Sequence, residues 1–234
     1  MKRKIIIVFL ILLFVVGCGR KKENVIEDNS VSVRELTSDE EKALLKRVDE
    51  LIYLDYLGKS FKVTDLTNQE VLQFIYSLYG VDNVTFKTLE EHLSDYLDFP
   101  LEPENILCNT HFNILDGSDY RYLYNIYNDK YEINTKHVHH ADIGFGADVY
   151  NKYVSGKVEG EYYYIEVYKL FSDLYGTGGS SYYSTYNNAS LKEKALYTGK
   201  GDMWSSVDET LLNKYTYRFI KNGDNYILKE YEIN

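Results

Sequence analysis

Short alternating segments rich in tyrosine fill the second half of this chain, and they constrain its fold more than any other feature. Twenty of the 25 tyrosines lie beyond residue 100. In KYTYRFIKNGDNYILKEYEI, apolar and polar residues alternate, which places the apolar side chains on one face of a β-strand. The Asn222-Gly223 pair between the two runs is a strong signal for a tight turn. The segment therefore predicts an antiparallel β-hairpin.

A second pair of strands is predicted in GADVYNKYVSGKVEGEYYYIEVYKLF, on either side of Glu159-Gly160. Within EYYYIEVYKLF, the alternation places Tyr163, Ile165 and Val167 on one apolar face. A third stretch, DYRYLYNIYNDKYEIN, also alternates. Together these runs predict an antiparallel, tyrosine-rich sheet over residues 104–234.

The opposite face of that predicted strand carries further tyrosines that are candidates for ligand binding. Tyrosine combines a rigid apolar ring with a polar tip, which suits sugars and extended peptides. The alternative is that these tyrosines only cover a solvated sheet face, because tyrosine has a high β-propensity. The Gly/Ser/Tyr/Asn-rich segment 172–190 reads as a long exposed loop that extends the platform. The candidate binding residues are Tyr162, Tyr164, Tyr168, Tyr182, Tyr183 and Tyr186.

Residues 37–100 carry the signals of helices instead. Three times a hydroxyl residue precedes a glutamate at capping-box spacing ahead of an apolar periodic run, which predicts three helix starts. The three pairs are Ser38 with Glu41, Thr67 with Glu70, and Thr88 with Glu91. Helices followed by antiparallel strands indicate one α+β domain over residues 37–234. A curved sheet like that of nuclear-transport-factor-2-like cones is one candidate architecture, and a helical cap beside a β-meander is the other.

Residues 1–17 have the parts of a bacterial signal peptide. A basic start at residues 2–4 precedes an uninterrupted apolar run at residues 5–16, which is shorter than the roughly 20 residues of a spanning helix. The VVGC segment resembles the lipobox of bacterial lipoproteins. This resemblance implies that residues 1–17 are removed and that Cys18 is lipidated with acyl chains such as palmitate. The stretch after Cys18 is polar and free of aromatic residues, so residues 18–36 are predicted to form a flexible tether. The alternative is an uncleaved N-terminal anchor.

The rest of the chain carries a looser resemblance. The order of LTNQEVLQFIYSLYG, TFKTLEEHLSDYL, ENILC and the terminal tyrosine-rich hairpin is similar to a group of uncharacterised lipoproteins from low-GC Gram-positive bacteria. This resemblance implies an extracytoplasmic protein held at the cell membrane by its lipid. It implies no known activity.

The charge of the chain excludes one class of partner. The formal net charge is −10 at pH 7, and removal of the three basic residues at positions 2–4 would make the mature chain more acidic still. A protein this acidic repels phosphate backbones, so we expect no nucleic-acid partner. The partners expected are the membrane, through the lipid, and an envelope glycan, peptide or protein.

Three of the five histidines lie close together in KHVHHADIGFG, residues 136–146. Imidazole is a common ligand for zinc and copper, but a site needs three or four ligands that converge on one ion. If this segment is a strand, His137 and His139 share one face and His140 lies on the other. The alternatives are a divalent-metal site at His137, His139 and His140, or a polar corner of the sheet.

Motifs of enzymes are absent from the sequence. It contains no GxSxG elbow, no SxxK pair, no HExxH helix and no P-loop lysine. We therefore favour a non-enzymatic, lipid-anchored binding domain with no cofactor, and leave catalysis open. The second hypothesis is a metal-binding protein or metal-dependent hydrolase that uses the three histidines.

Overall fold

One large antiparallel sheet, with the N-terminal helices against one of its faces, organises the described residues as an α+β fold. The computed structural model describes residues 32–79, 84–107, 109–110, 113–114, 120–133, 148–172, 180–200 and 202–234. The predicted α+β class and the tyrosine-rich antiparallel sheet are confirmed.

The main sheet has eight strands, six of which run in the order β1-β8-β9-β12-β13-β2, while β10 and β11 extend from β9. Two smaller sheets have the orders β3-β6-β7 and β4-β5. The strands are β1 Val33–Glu35, β2 Phe61–Lys62, β3 Ile106–Leu107, β4 Asn109–Thr110, β5 Asn113–Ile114, β6 Tyr120–Asn125, β7 Lys130–Ile133, β8 Asp148–Glu159, β9 Tyr162–Ser172, β10 Ser180–Tyr183, β11 Tyr197–Gly199, β12 Lys214–Asn222 and β13 Asn225–Ile233.

The helices within the described residues fall into two groups. The first group lies before residue 100, and the second lies between β10 and β12. They are α1 Ser38–Glu50, α2 Asn68–Tyr79, α3 Phe86–Ser94, α4 Tyr186–Leu191 and α5 Met203–Ser206, with short 3₁₀ helices at Ile52–Leu57, Val63–Asp65 and Glu209–Leu211. Among the described helices, none is long and apolar enough to cross a membrane.

The helix caps differ from the predicted ones at two of three positions. At α2, the Glu70 carboxylate accepts from the Thr67 backbone N–H at 2.8 Å and the Glu70 N–H donates to the Thr67 hydroxyl, as predicted. At α1, the capping box lies one residue earlier than predicted, at Thr37 and Glu40. Helix α1 also ends at Glu50, and a 3₁₀ helix continues to Leu57.

The start of α3 was predicted three residues too late. Thr85 forms an isolated β-bridge with Lys130, so its backbone is extended and the helix begins immediately after it. The Thr85 hydroxyl accepts from the backbone N–H of Thr88 at 3.2 Å. Thr88 therefore lies inside the first turn, and Thr85 is the N-cap.

The core lies between the helices and the inner face of the sheet. Inner-face residues of β12, among them Tyr217 and Phe219, are fully buried in one cluster with Leu44 and Val48 of α1 and Ile75 of α2. The sequence buries tyrosine rings here because alternation directs every second residue of β12 inward. The two predicted hairpin turns are confirmed, with Gly160 at φ 62° and Gly223 at φ 60°.

Residues 33–35, assigned by the sequence to the tether, form the edge strand β1. Strand β1 pairs antiparallel with residues 157–159 of β8. The next residue, Leu36, packs so closely on Gly156 that a Cβ built on Gly156 would lie 2.2 Å from Leu36 Cδ1 and 2.9 Å from the carbonyl oxygen of Tyr164. Because glycine has no Cβ, position 156 leaves room for Leu36, which directly follows the paired strand β1.

The interpretation of 172–190 as one exposed loop is corrected by the structure. Residues 180–183 form β10, which pairs with β9 and β11, and residues 186–191 form α4. The Thr185 hydroxyl caps α4 by accepting from the Asn188 N–H. The Gly/Ser/Asn-rich composition predicted a loop, whereas the segment packs against the core through its tyrosine rings.

Candidate binding site on the outer sheet face

The tyrosines of β9 lie where the alternation places them. Ile165 and Val167 are fully buried on the inner face, whereas Tyr162, Tyr164 and Tyr168 are partly exposed on the opposite, outer face. The outer face is not uniform along the strand, because chain segments after residue 180 cover only one end of it.

The covered end of the outer face is a second hydrophobic cluster. Leu170 is fully buried there, and Tyr168 and Tyr182 pack around it. The ring of Tyr182 stacks on that of Tyr197 with centroids 6.0 Å apart. The other members of the cluster are Tyr150, Leu196, Met203, Trp204, Val207 and Leu212. Tyr168 and Tyr182 therefore hold this covering in place more than they present an open surface.

Two tyrosines proposed as part of the exposed platform are buried. Tyr183 and Tyr186 are each only 3% exposed and belong to the main core. The Tyr186 ring lies 4.3 Å from that of Tyr56 and contacts Phe171 at 6.2 Å. Helix α4 and strand β10 fold back on β9 and carry these rings inward, so Tyr183 and Tyr186 do not extend the outer face.

The open end of the outer face carries Tyr162 and Tyr164, whose ring centroids are 6.5 Å apart. Each ring has a cation beside it. The guanidinium of Arg218 lies 4.9 Å from the Tyr162 ring centroid, and the ammonium of Lys157 lies 5.0 Å from that of Tyr164. Cations at this distance are attracted by the negative face of the ring.

Both cations are themselves paired with carboxylates. Arg218 forms a 2.9 Å ion pair with Glu230, and Lys157 forms a 2.6 Å ion pair with Glu159. The hydrogen bond to Glu159 raises the pKa of Lys157. The surroundings of Tyr162 and Tyr164 are therefore charged but locally balanced, and this favours no single sign of ligand charge.

The tyrosine pair continues into a cleft across the sheet. Ile220 of β12 is the cross-strand partner of Tyr162 and also of Ile227 of β13. Cross-strand partners lie on the same face, so these three side chains form an apolar row on the outer face. Ile220 and Ile227 then line a cleft of about 530 Å³. We name this row, with Tyr164 and the cleft, the outer groove.

The far wall of the outer groove is the segment that follows α3. Leu97, Phe99, Pro100 and Leu101 line it, and the backbone N–H of Leu228 donates to the Tyr96 carbonyl at 2.9 Å to fix the segment along β13. Glu90, Asp98 and Lys221 also line the cleft. The chemistry of the groove is thus an apolar floor and wall with charged residues around them.

A buried ion pair that the sequence analysis missed lies beneath the inner face of the sheet. Lys169 occupies an inward position of β9 between Val167 and Phe171, with no exposed surface, and its ammonium lies 2.6 Å from the Asp55 carboxylate. The hydroxyls of Tyr217 and Tyr231 donate to Asp55 at 3.3 and 2.8 Å. Burial lowers the pKa of Lys169, and the Asp55 charge opposes this effect. A lysine that interrupts an apolar alternation was the one available signal.

The metal hypothesis falls on residues outside those described. His137, His139 and His140 lie in the undescribed segment 134–147, and Cys18 precedes the described part of the chain. Over residues 32–234, with the gaps given above, no three His, Cys, Asp or Glu side chains are grouped to hold a metal ion. The histidine site stays a prediction.

Comparison of the chain with known protein families, with curated proteins and with solved structures finds no match. The functional interpretation therefore rests on the chemistry of the outer groove.

Proposed function

We propose that this protein is a lipid-anchored, extracytoplasmic binding domain that holds an extended peptide segment of an envelope protein in the outer groove. The observation that carries the proposal is the continuous row Tyr164, Tyr162, Ile220 and Ile227, which leads into the 530 Å³ cleft. Ligand sites in proteins are concave, and this cleft has a typical volume for them.

A peptide fits the groove better than a glycan. One side of each exposed ring carries Arg218 or Lys157, which leaves less free ring face for a sugar to stack on. The cleft offers apolar walls at Leu97 and Phe99. An apolar side chain of a peptide can enter it, while the charged rim pairs with polar neighbours of that side chain.

The test uses peptides displayed on phage as the probe. The full chain, solubilised in detergent, is used to select from a twelve-residue library, and the enriched peptides are measured by fluorescence anisotropy. We expect the double variant Tyr162→Ser/Ile220→Ser to bind at least ~tenfold more weakly, as the loss of anchors at an interface centre does. The matched control is Tyr127→Ser, because Tyr127 is 98% exposed on the β6–β7 turn, away from the groove.

Two results would overturn the peptide proposal. One is that enriched peptides bind the double variant as well as they bind the unchanged protein. The other is that the protein sediments with insoluble peptidoglycan in a manner that depends on Tyr162 and Ile220, while no peptide is enriched. The second result would make a glycan the occupant.

The membrane anchor is part of the same proposal. Two acyl chains on Cys18 would hold the domain stably at a bilayer, where one chain holds it only marginally. Expression in a bacterium with labelled palmitate tests this proposal. The label should appear on the unchanged protein and be lost in Cys18→Ser, whereas label retained in Cys18→Ser, or no label at all, would contradict lipidation at this residue.

We further propose that the sheet is curved, as in nuclear-transport-factor-2-like cones, with the N-terminal helices inside the curve. Two register irregularities support curvature, one in β8 between Tyr153 and Ser155 and one in β13, where Lys229 has no partner between the pairs Arg218–Glu230 and Phe219–Leu228. Bulges bend the strand that contains them. A crystal structure tests this directly, and flat strands through both positions would exclude it.

A further inference from the structure

A second cleft has a volume of about 340 Å³ and shares no lining residue with the cleft of the outer groove. It is lined at its inner end by Asp55 and by the rings of Phe171, Tyr186 and Tyr215, and it also includes Lys59 and Asn213. Asp55 is only 2% exposed, so a charged group of the core forms part of the cleft wall. We name this the Asp55 cleft.

The aromatic residues give the Asp55 cleft apolar walls of fixed shape. The Phe171 ring contacts Tyr186 at 6.2 Å and Tyr215 at 6.3 Å, and the Tyr215 hydroxyl donates to the Ser184 carbonyl at 3.0 Å. All three rings are at most 3% exposed. Their positions are thus set by the core before any ligand binds, which lowers the ordering cost of binding.

The carboxylate of Asp55 retains room for one more hydrogen bond. A carboxylate has about four acceptor positions. Among the described residues, Asp55 accepts three hydrogen bonds, two at Oδ1 from Tyr217 and Tyr231 and one at Oδ2 from Lys169. A ligand in the cleft that donates a hydrogen bond to Oδ2 would complete this set.

The charge balance of the cleft selects a neutral ligand. Asp55 is neutralised by Lys169, and Lys59 at the cleft is paired with Glu70 at 2.5 Å. A cationic ligand would compete with Lys169 for one carboxylate, and an anionic ligand would meet that carboxylate directly. A charge brought into a buried site without a free partner loses its hydration without compensation.

From these observations we infer that the Asp55 cleft binds a neutral polyhydroxylated ring of monosaccharide size. Its hydroxyl groups would donate to Asp55 Oδ2 and exchange hydrogen bonds with Asn213, and its C–H face would lie against the aromatic walls. The cleft is large enough for one such ring, at the small end of ligand pockets. This inference is independent of the peptide proposed for the outer groove.

The test compares neutral, cationic and anionic sugars that share the same six-membered ring. The full chain is studied in a detergent without a sugar headgroup, by saturation-transfer NMR with glucose, N-acetylglucosamine, glucosamine and glucuronate. We expect the neutral sugars to bind with a Kd of ~1 mM, and the cationic and anionic ones to bind at least ~tenfold more weakly. No saturation transfer to either neutral sugar, or equal binding of a charged one, would overturn the inference.

A matched pair of variants locates the sugar. Asn213→Ala removes a polar group of the Asp55 cleft and leaves the buried pair intact, whereas Asn222→Ala removes the same group from the lining of the outer groove. We expect Asn213→Ala to weaken binding of the neutral sugars at least ~tenfold, with unchanged melting, and Asn222→Ala to have no effect. The reverse pattern would place the sugar in the outer groove and reject this site.

Discussion

Lys169 is the residue whose placement has the largest energetic consequence. Its ammonium and the Asp55 carboxylate satisfy each other inside the core, with two tyrosine hydroxyls on the same carboxylate. The net contribution of such a pair to folding is small, because two charges lose their hydration when they are buried. The removal of one partner is costly, because the other charge then stays buried alone.

We therefore predict that Lys169→Met lowers the free energy of unfolding by about 3–5 kcal/mol, measured by urea denaturation at neutral pH. The control is Lys152→Met, since Lys152 pairs with Glu209 on the surface, and surface pairs contribute about 0–1 kcal/mol. The double variant Lys169→Met/Asp55→Asn should regain part of the loss. Equal effects of Lys169→Met and Lys152→Met would contradict the buried pair.

A second residue gives the fold a defined pH dependence. The Arg34 guanidinium donates two hydrogen bonds of 2.7 Å to Glu40 and lowers the pKa of that carboxyl from 4.5 to about 2. Because the folded-state pKa lies below the ordinary one, the stabilisation is fully present above pH 4.5. It is lost as the pH falls from 4.5 towards 2.

We predict that Glu40→Gln melts at a lower temperature than the unchanged protein at pH 7 and that this difference vanishes as the pH approaches 2. Glutamine still accepts a hydrogen bond from the Thr37 backbone N–H, so the variant removes the charge and keeps this part of the helix cap. Melting curves at pH 7, 4.5 and 2.5 provide the measurement. A difference that is the same at all three values would assign the effect to packing instead of charge.

At the scale of elements, the N-cap of α3 is Thr85 in the structure, whereas the sequence predicted Thr88. The Thr85 side chain accepts from the first turn, and Thr88 lies inside the helix. We predict that Thr85→Ala costs about 1 kcal/mol, as the loss of a threonine cap does. Thr88→Ala should cost less, as measured by chemical denaturation of both variants. A larger loss for Thr88→Ala would restore the cap predicted from the sequence.

The elements that the sequence predicted correctly depend on local chemistry. The β8–β9 and β12–β13 hairpins follow from alternation and from a glycine at each turn, both of which are properties of neighbouring residues. The fold of residues 180–191 was missed, because β10 is recognisable only by its pairing with β9. The outer groove was half predicted: Tyr162 and Tyr164 follow from alternation, but Ile227 joins them only through strand pairing.

At the scale of the molecule, the last strand completes contacts that begin near residue 55. Tyr231 of β13 donates to Asp55, β13 pairs with β2 at Phe61, and Leu228 bridges to Leu97. The N-terminal helices therefore have no complete core until β13 has joined the sheet. Contacts so distant in sequence also slow folding, because long loops must close first.

We predict that a chain that lacks residues 225–234 does not fold cooperatively, because it loses β13 and the buried residues Tyr226, Leu228 and Tyr231. The control lacks only Asn234, which is exposed at the end of the chain, and should unfold in a single sharp transition. Thermal melting followed by near-ultraviolet circular dichroism distinguishes the two chains. Cooperative melting of the longer truncation would show that the helices and the other strands form a core alone.

The buried Lys169 also affects the register in which β9 pairs with its neighbouring strands during folding. Alternation distinguishes a correct alignment from one shifted by a single residue, but a shift by two residues again places an inner side chain on the inner face. Such a shift would move the lysine about 7 Å along the strand, away from Asp55. Both charges would then be buried without hydration and without an ion-pair partner. We expect this penalty to disfavour sheets with a shifted register, which hydrophobic burial alone would not distinguish from the correct one.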